Sequence, residues 1–264
     1  MNSEKRYALI SGASSGIGWE FTKLLAEKGY HTIMVSNQEE LLKEKCELIK
    51  AQYNTKAIPL YMDLSKPESA GKVFLFCKEN KMEVEILINN AGFYISGDMV
   101  QSNVEKIRNL IQLHITGLSL MCRYFGNEMR ERKKGYILNM SSLSGWMAYP
   151  KIALYASTKR YIRDFSLAIR YELIKHNVSV TTVTPGAIDT NLYRLSPKYQ
   201  SLALRLRIMM PPEILAEKAL KAMFKRKATL TPGFINRIAI PFLVIVPMRW
   251  VCFIETKLDK VFMK

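Results

Sequence analysis

The stretch Tyr7-Ala-Leu-Ile-Ser-Gly-Ala-Ser-Ser-Gly-Ile-Gly18 decides the fold. Tyr7 to Ser11 is a short apolar run of the kind a buried strand requires. Gly12, Gly16 and Gly18 follow, and from Trp19 to Lys28 apolar side chains return at helical spacing. Strand, glycine turn and helix in that order make a dinucleotide cradle. Gly12 permits the tight turn, Gly16 lets backbone approach a pyrophosphate, and Gly18 lets the helix lie close to the sheet. Phosphates would rest on the free N–H groups at the helix start, with Ser14, Ser15 and Ile17 alongside. The spacing Gly-x3-Gly-x-Gly differs from the commoner Gly-x-Gly-x2-Gly, so a plain flexible turn stays open for this run taken alone.

Outward from the cradle the alternation continues. Gly29–Ser36 reads as a strand, Gln38–Tyr53 as a charged-faced helix, and Ala57–Met62 as a strand ending at Asp63. Lys66–Lys81 reads as a helix and Val84–Ile88 as a strand running into Asn89-Asn-Ala-Gly92. Asn103–Glu131 is one long helix or two abutting ones. Tyr136–Met140 is a strand, Tyr155–His176 a helix, and Val178–Thr184 a strand ending at Pro185-Gly186. Strands spaced by such helices imply a mostly parallel sheet covered on both faces. Right-handed crossovers then make it a doubly wound α/β sheet, one Rossmann-type domain over residues 1–264. After Thr190 the pattern loosens. Residues 191–212 are basic and apolar, with a helical Tyr199–Met209 piece between prolines, and suit a lid. A helix over Pro212–Lys227 and a short strand within Thr229–Gly233 precede a C-terminal extension, 233–264.

The formal charge of +16 over 264 residues is uneven: Arg194 to Lys264 holds 14 Lys/Arg against 4 Asp/Glu. Such a field suits anionic lipid or a phosphorylated substrate. Nucleic acid is not expected as partner, because no recognition helix, zinc finger or basic–aromatic platform accompanies the charge. Cys46, Cys77, Cys122 and Cys252 are widely spaced, so neither a disulfide framework nor a metal site is expected. Met1-Asn-Ser-Glu-Lys-Arg leads straight into the first strand without an apolar leader, which points to the cytoplasm. The run Ile238–Met248 is uncharged between Arg237 and Arg249, yet too short to span a bilayer. It reads as core or dimer contact, as a membrane-surface patch, or as a pocket wall.

Every conspicuous polar cluster falls at a strand's carboxyl end, where such sheets bind ligands. These are Ser11–Gly18, Asp63-Leu64, Asn89–Gly92, Ser141-Ser142 and Pro185–Thr190. Asp63 has a plainer reading as the cap of its own strand end. Tyr155 and Lys159 are four apart, so on a helix they share a face. A lysine cation close to a phenol favours the phenolate and turns a weak acid into a usable proton donor or acceptor.

With these residues in hand, the chain over residues 5–190 resembles the classical short-chain dehydrogenases/reductases. The glycine turn matches Gly12, Gly16 and Gly18, the Asn-Asn-Ala-Gly element matches Asn89–Gly92, and the Pro-Gly-x-x-x-Thr element matches Pro185–Thr190. The catalytic serine, followed 13 positions later by Tyr-x3-Lys, matches Ser142, Tyr155 and Lys159. The resemblance implies that Tyr155 exchanges the proton at the substrate oxygen. Lys159 would lower the tyrosine's pKa and hold the nicotinamide ribose, and Ser142 would bond the carbonyl or alcohol oxygen. Asp63 and Leu64 would lie by the adenine, and Asn89, Ala91 and Gly92 by its ribose. Pro185, Gly186, Ile188 and Thr190 would lie by the carboxamide and phosphates. One departure stands out: His114 occupies the place of an asparagine that supports the family's water path to the lysine. Imidazole can hold a water or relay a proton, or it can be a buried histidine satisfied by backbone.

The end of the second strand carries Ser36-Asn37 and no acid until Glu39, which leans toward NADP, with NAD as the alternative. Leu143, Trp146, Met147 and Tyr149 beside the serine, and the apolar lid, suit a hydrophobic ketone such as a fatty-acyl, sphingoid or steroid-like compound. The expected activity is its NADPH-linked reduction to the alcohol. The rival reading is a nucleotide-binding, membrane-surface scaffold without turnover. The resemblance also implies a homodimer or tetramer built through the two long helices.

Overall fold

The computed structural model describes residues 6–189, 209–247 and 249–253. In chain order β1 (Tyr7–Ser11), α1 (Gly16–Glu27), β2 (His31–Ser36), α2 (Glu39–Gln52), β3 (Ala57–Tyr61), α3 (Ser69–Glu79) and β4 (Val84–Asn89) alternate. The second half continues with α4 (Val104–Ile111), a π-helical turn (Gln112–Gly117), α5 (Leu118–Arg132), β5 (Gly135–Met140), α6 (Ala153–Leu173) and β6 (Val178–Val183). Then come β7 (Ala187–Ile188), β8 (Met209–Met210), α7 (Pro212–Phe224), β9 (Thr229–Leu230) and α8 (Phe234–Ile245).

The main sheet runs β3-β2-β1-β4-β5-β6-β9, and all its pairs are parallel. Strand order reverses between β1 and β4, which opens a crevice at their carboxyl ends. Every residue of β1, β4 and β6 is buried. That explains why these strands read as continuous runs without alternation. Phe21 and Leu25 of α1, Cys46 of α2 and Leu220 of α7 fill one face. Val73 of α3, Phe125 of α5 and Ile162 of α6 fill the other. The doubly wound sheet expected from the alternation is the one present.

Three local expectations need correction or refinement. The long segment is helical from Val104 to Arg132, as expected, but its winding is not uniform. α4 and α5 are joined by the π turn, an extra residue of winding to which apolar periodicity is blind. Met209 does not end a helix: β8 pairs with β7, and Asp189 N–H donates to the Met210 carbonyl at 3.0 Å. Residues 190–208, with Thr190 and most of the expected lid, lie outside the described residues. The third correction concerns the tail. Ile238–Met248 is not core, because α8, which holds most of it, buries none of its residues.

Candidate active site

The cradle is built as its glycines require. Gly12 and Gly16 take left-handed backbone, with φ of +67° and +52°. A Cβ on Gly18 would stand 2.0 Å from the Gly12 carbonyl oxygen, so only glycine lets α1 start against β1. Ser15 caps α1 with no side-chain hydrogen bond, and the first turn holds no acid. The positive end of α1 is therefore open to an anionic ligand. Ser14 Oγ lies 2.8 Å from Ser36 Oγ and 2.8 Å from Gln38 Oε1, which ties the turn to the end of β2.

A cavity of about 420 Å³ extends from this turn to Tyr155 and Lys159. It gathers Gly12, Ser14, Ser15, Gly16, Ile17, Ser36, Asn37, Asp63, Leu64, Ala91, Gly92, His114, Ser142, Pro185, Gly186 and Ile188, all singled out from the sequence. Gln38 and Phe93 join them without having been foreseen, and Asn90 does so from within the Asn89–Gly92 element. Asp63 is both wall and cap, since its carboxylate also accepts from Ser65 N–H at 3.0 Å and Ser65 Oγ at 2.7 Å.

The expectation for Asn89 is corrected. Its amide turns away from the cavity and donates to Asn139 Oδ1 at 2.8 Å, and Asn139 donates to Ser166 Oγ at 2.8 Å. That buried chain locks β4, β5 and α6 together. Asn90 forms the wall instead: it donates to the Ser11 carbonyl at 3.0 Å and lies beside Gly12. Two adjacent asparagines in a strand end point to opposite faces, and the sequence did not tell which faced the ligand. Gly18 also stands outside the lining and serves the helix–sheet contact.

At the far end Ser142, Tyr155 and Lys159 are all buried. Lys159 Nζ donates to the Met140 carbonyl at 3.0 Å and sits 5.6 Å from the Tyr155 ring centre. Burial lowers its pKa to about 8. Ser142 Oγ accepts from Ser144 N–H at 3.2 Å, so its own proton is left for a ligand oxygen. Gly145 closes the arrangement. A Cβ there would meet Arg160 N and the Lys159 carbonyl carbon at 2.9 Å, so the serine's turn rests directly on α6.

His114 sits in the π turn, and burial, then the Lys159 charge, hold its pKa well below 6.5. It is neutral, and its tautomer follows from its neighbours. Thr158 Oγ1 donates to the Tyr155 carbonyl at 2.8 Å, so at 2.9 Å it must accept from His114 Nδ1–H. Nε2 is left as a bare acceptor, buried with no hydrogen-bond partner among the described residues. A Cβ on Gly92 would lie 2.7 Å from it. The histidine is thus satisfied on one nitrogen and poised on the other.

Comparison with known proteins agrees with this geometry. A family model described as short chain dehydrogenase matches residues 6–200. A very-long-chain 3-oxoacyl-CoA reductase of Pyricularia oryzae is 32% identical over 67% of this chain and 54% of its own. A human protein named inactive hydroxysteroid dehydrogenase-like protein 1 is 30% identical over 71% of this chain and 57% of its own. This chain therefore spans little more than half the length of both relatives. A solved short-chain dehydrogenase of Sphingobium yanoikuyae in complex with NADPH superposes with a TM-score of 0.78 at 25% identity, covering 97% of this chain and 95% of its own. These likenesses support oxidoreductase activity in general. A glycine cradle at the sheet's reversal point, a buried serine, tyrosine and lysine at its other end, and a family match over residues 6–200 converge: the chain belongs to the short-chain dehydrogenase family.

Proposed function

We propose that the protein is an NADPH-linked reductase of hydrophobic ketones. The observation that carries the reading is the joining of the α1 cradle to Ser142, Tyr155 and Lys159 in one cavity. The residues fit a dinucleotide: open N–H groups at α1 for the pyrophosphate, and Ser36, Asn37 and Gln38 at the end of β2 for the adenine ribose. Among the described residues Asp63 is the one carboxylate in the lining, and it belongs to β3's end, so none at the end of β2 repels a 2′-phosphate. When bound, the nicotinamide supplies the hydride that reduces the carbonyl carbon.

The chain's own residues handle the oxygen. Ser142 donates its free proton to the carbonyl oxygen and orients it. Tyr155 delivers the phenolic proton to the same oxygen as the alcohol forms, so one hydride and one proton are added. Lys159 spends one N–H on Met140 and keeps two for ribose hydroxyls, and its charge stabilises the phenolate left behind. His114, through Nε2, accepts a hydrogen bond within the cavity and continues the proton path that an asparagine serves in relatives. Phe93 in the cavity, and Trp146 and Met147 lining a second cavity beyond the Ser142 turn, favour an apolar substrate. The name of the fungal relative supports a fatty-acyl ketone.

Turnover of medium-chain 3-oxoacyl, sterol and sphingoid ketones with NADPH and NADH tests this, with Tyr155→Phe as control. The expected result is reduction of at least one class, faster with NADPH, and a loss of about 10²- to 10⁴-fold in the variant with cofactor binding kept. Bound cofactor without turnover in either protein would favour a nucleotide-binding scaffold. The relative named as inactive and the histidine at the asparagine's place give that second reading its support.

A further inference from the structure

α8 is twelve residues long and buries none of them. Phe234, Ile235, Ile238, Phe242 and Ile245 are each 50% or more exposed and recur at helical spacing, so they form one apolar stripe. Trp250 and Phe253 beyond it are also more than half exposed. A patch of this kind marks a surface that is covered in use. The helix is not a span, because no described helix is long and apolar enough to cross a membrane.

The charge around the stripe decides what covers it. Arg237 and Arg249 are exposed toward its two ends, whereas Arg160 on the neighbouring stretch of α6 is paired with Asp164 at 3.7 Å. From Lys218 to Ile254 the chain has seven Lys/Arg and no Asp or Glu. A two-fold dimer through α8 would set the same basic stripe against itself with no carboxylate in the segment to offset it. An anionic bilayer surface answers both features, since acyl chains take the apolar side chains and headgroups take the arginines. We propose that α8 docks the protein flat on an anionic lipid surface.

The placement has a consequence for access. On its inner side Leu243 of α8, together with Trp146, Met147, Arg160 and Arg163, lines a second cavity of about 390 Å³. Trp146 and Met147 continue the turn begun by Ser142, and Asn236 of α8 lies within 2.8 Å of where a Cβ on Gly186 would stand. The docked face is therefore next to the site, and a ketone dissolved in the bilayer would have a short way in. That consequence rests on the reductase reading, whereas the docking itself does not.

Flotation of the full chain with vesicles of equal parts phosphatidylglycerol and phosphatidylcholine, against phosphatidylcholine alone, tests the docking without reference to turnover. Binding to the anionic vesicles only is expected, weakening as salt rises. Phe242→Glu with Ile245→Glu should abolish flotation with an unchanged unfolding midpoint. Arg249→Gln should weaken it about fivefold, the effect of one basic side chain at such a surface. Equal flotation with neutral vesicles, none with either, or an unaffected double variant would overturn the proposal. So would light scattering that finds a dimer dissolved by the glutamates in a protein that never floats.

Discussion

The polar floor around Ser142 and Lys159 and the apolar arm of α8 lie side by side and are built on opposite terms. On the floor, groups that prefer water have been taken out of it, and nearly all are answered: Lys159 by Met140, Ser141 Oγ by the Lys159 carbonyl at 2.6 Å, Asn89 by Asn139. On the arm, groups that avoid water are left in it. An orphaned buried polar atom costs about 1–3 kcal/mol, so a floor of this kind keeps few of them: His114 Nε2, Ser144 Oγ and Trp146 Nε1 among the described residues. Exposed apolar surface carries no such penalty within the fold, and its burial is completed by whatever meets it. Sites of the first kind are rigid and chemical; surfaces of the second kind are for meeting something.

The comparison can be broken through backbone alone at Gly145. A methyl group there has no room against the α6 backbone, so Gly145→Ala should shift the Ser142 turn and lower kcat about 10²-fold, with cofactor affinity near normal. Steady-state kinetics with a cofactor titration checks this. Lys159 comes next. Its pKa, lowered to about 8, means that between about 8 and 10.5 the unfolded chain binds the extra proton, so stability rises with pH across that window. Lys159→Met should remove the slope, add up to about 3 kcal/mol near neutrality and end turnover. Denaturant unfolding at several pH values reads the first two.

His114 sharpens the same contrast at smaller scale. Its lowered pKa makes the native state refuse a proton that the unfolded chain accepts below about 6.5. Stability should therefore fall as pH drops through that value, by at most about 1.4 kcal/mol per pH unit. In His114→Asn that acid loss should be smaller by the histidine's share while reductase activity persists; a variant with equal acid sensitivity would show that the imidazole is not held neutral. The smallest effect is expected on the arm. Phe242→Glu should change unfolding free energy by no more than about 0.5 kcal/mol and leave turnover of a water-soluble ketone unaltered.

Much of this was legible in residue order. Buried parallel strands announce themselves as apolar runs, and the backbone freedom of Gly12 and Gly16 and the missing side chain of Gly18 are properties of glycine itself. The i,i+4 rule alone brought Tyr155 and Lys159 to one face. What stayed hidden has one cause: it depends on which atoms of distant segments come within a few ångströms. Asn89 and Asn90 look alike until the pleat sends one to Asn139 and the other to the cavity. Gly145 looks like any loop glycine until α6 lies against it, and the winding that carries His114 inward leaves no mark on apolar spacing.

The sequence by itself determined the parallel sheet, its glycine cradle, and the residue types at its carboxyl edge, because these follow from local backbone preference and period. Only the tertiary structure decided the tautomer of His114, the lowered pKa of Lys159 and the exposure of α8. Burial and hydrogen-bond partnership are properties of neighbours brought together by folding, and no single stretch of chain contains them.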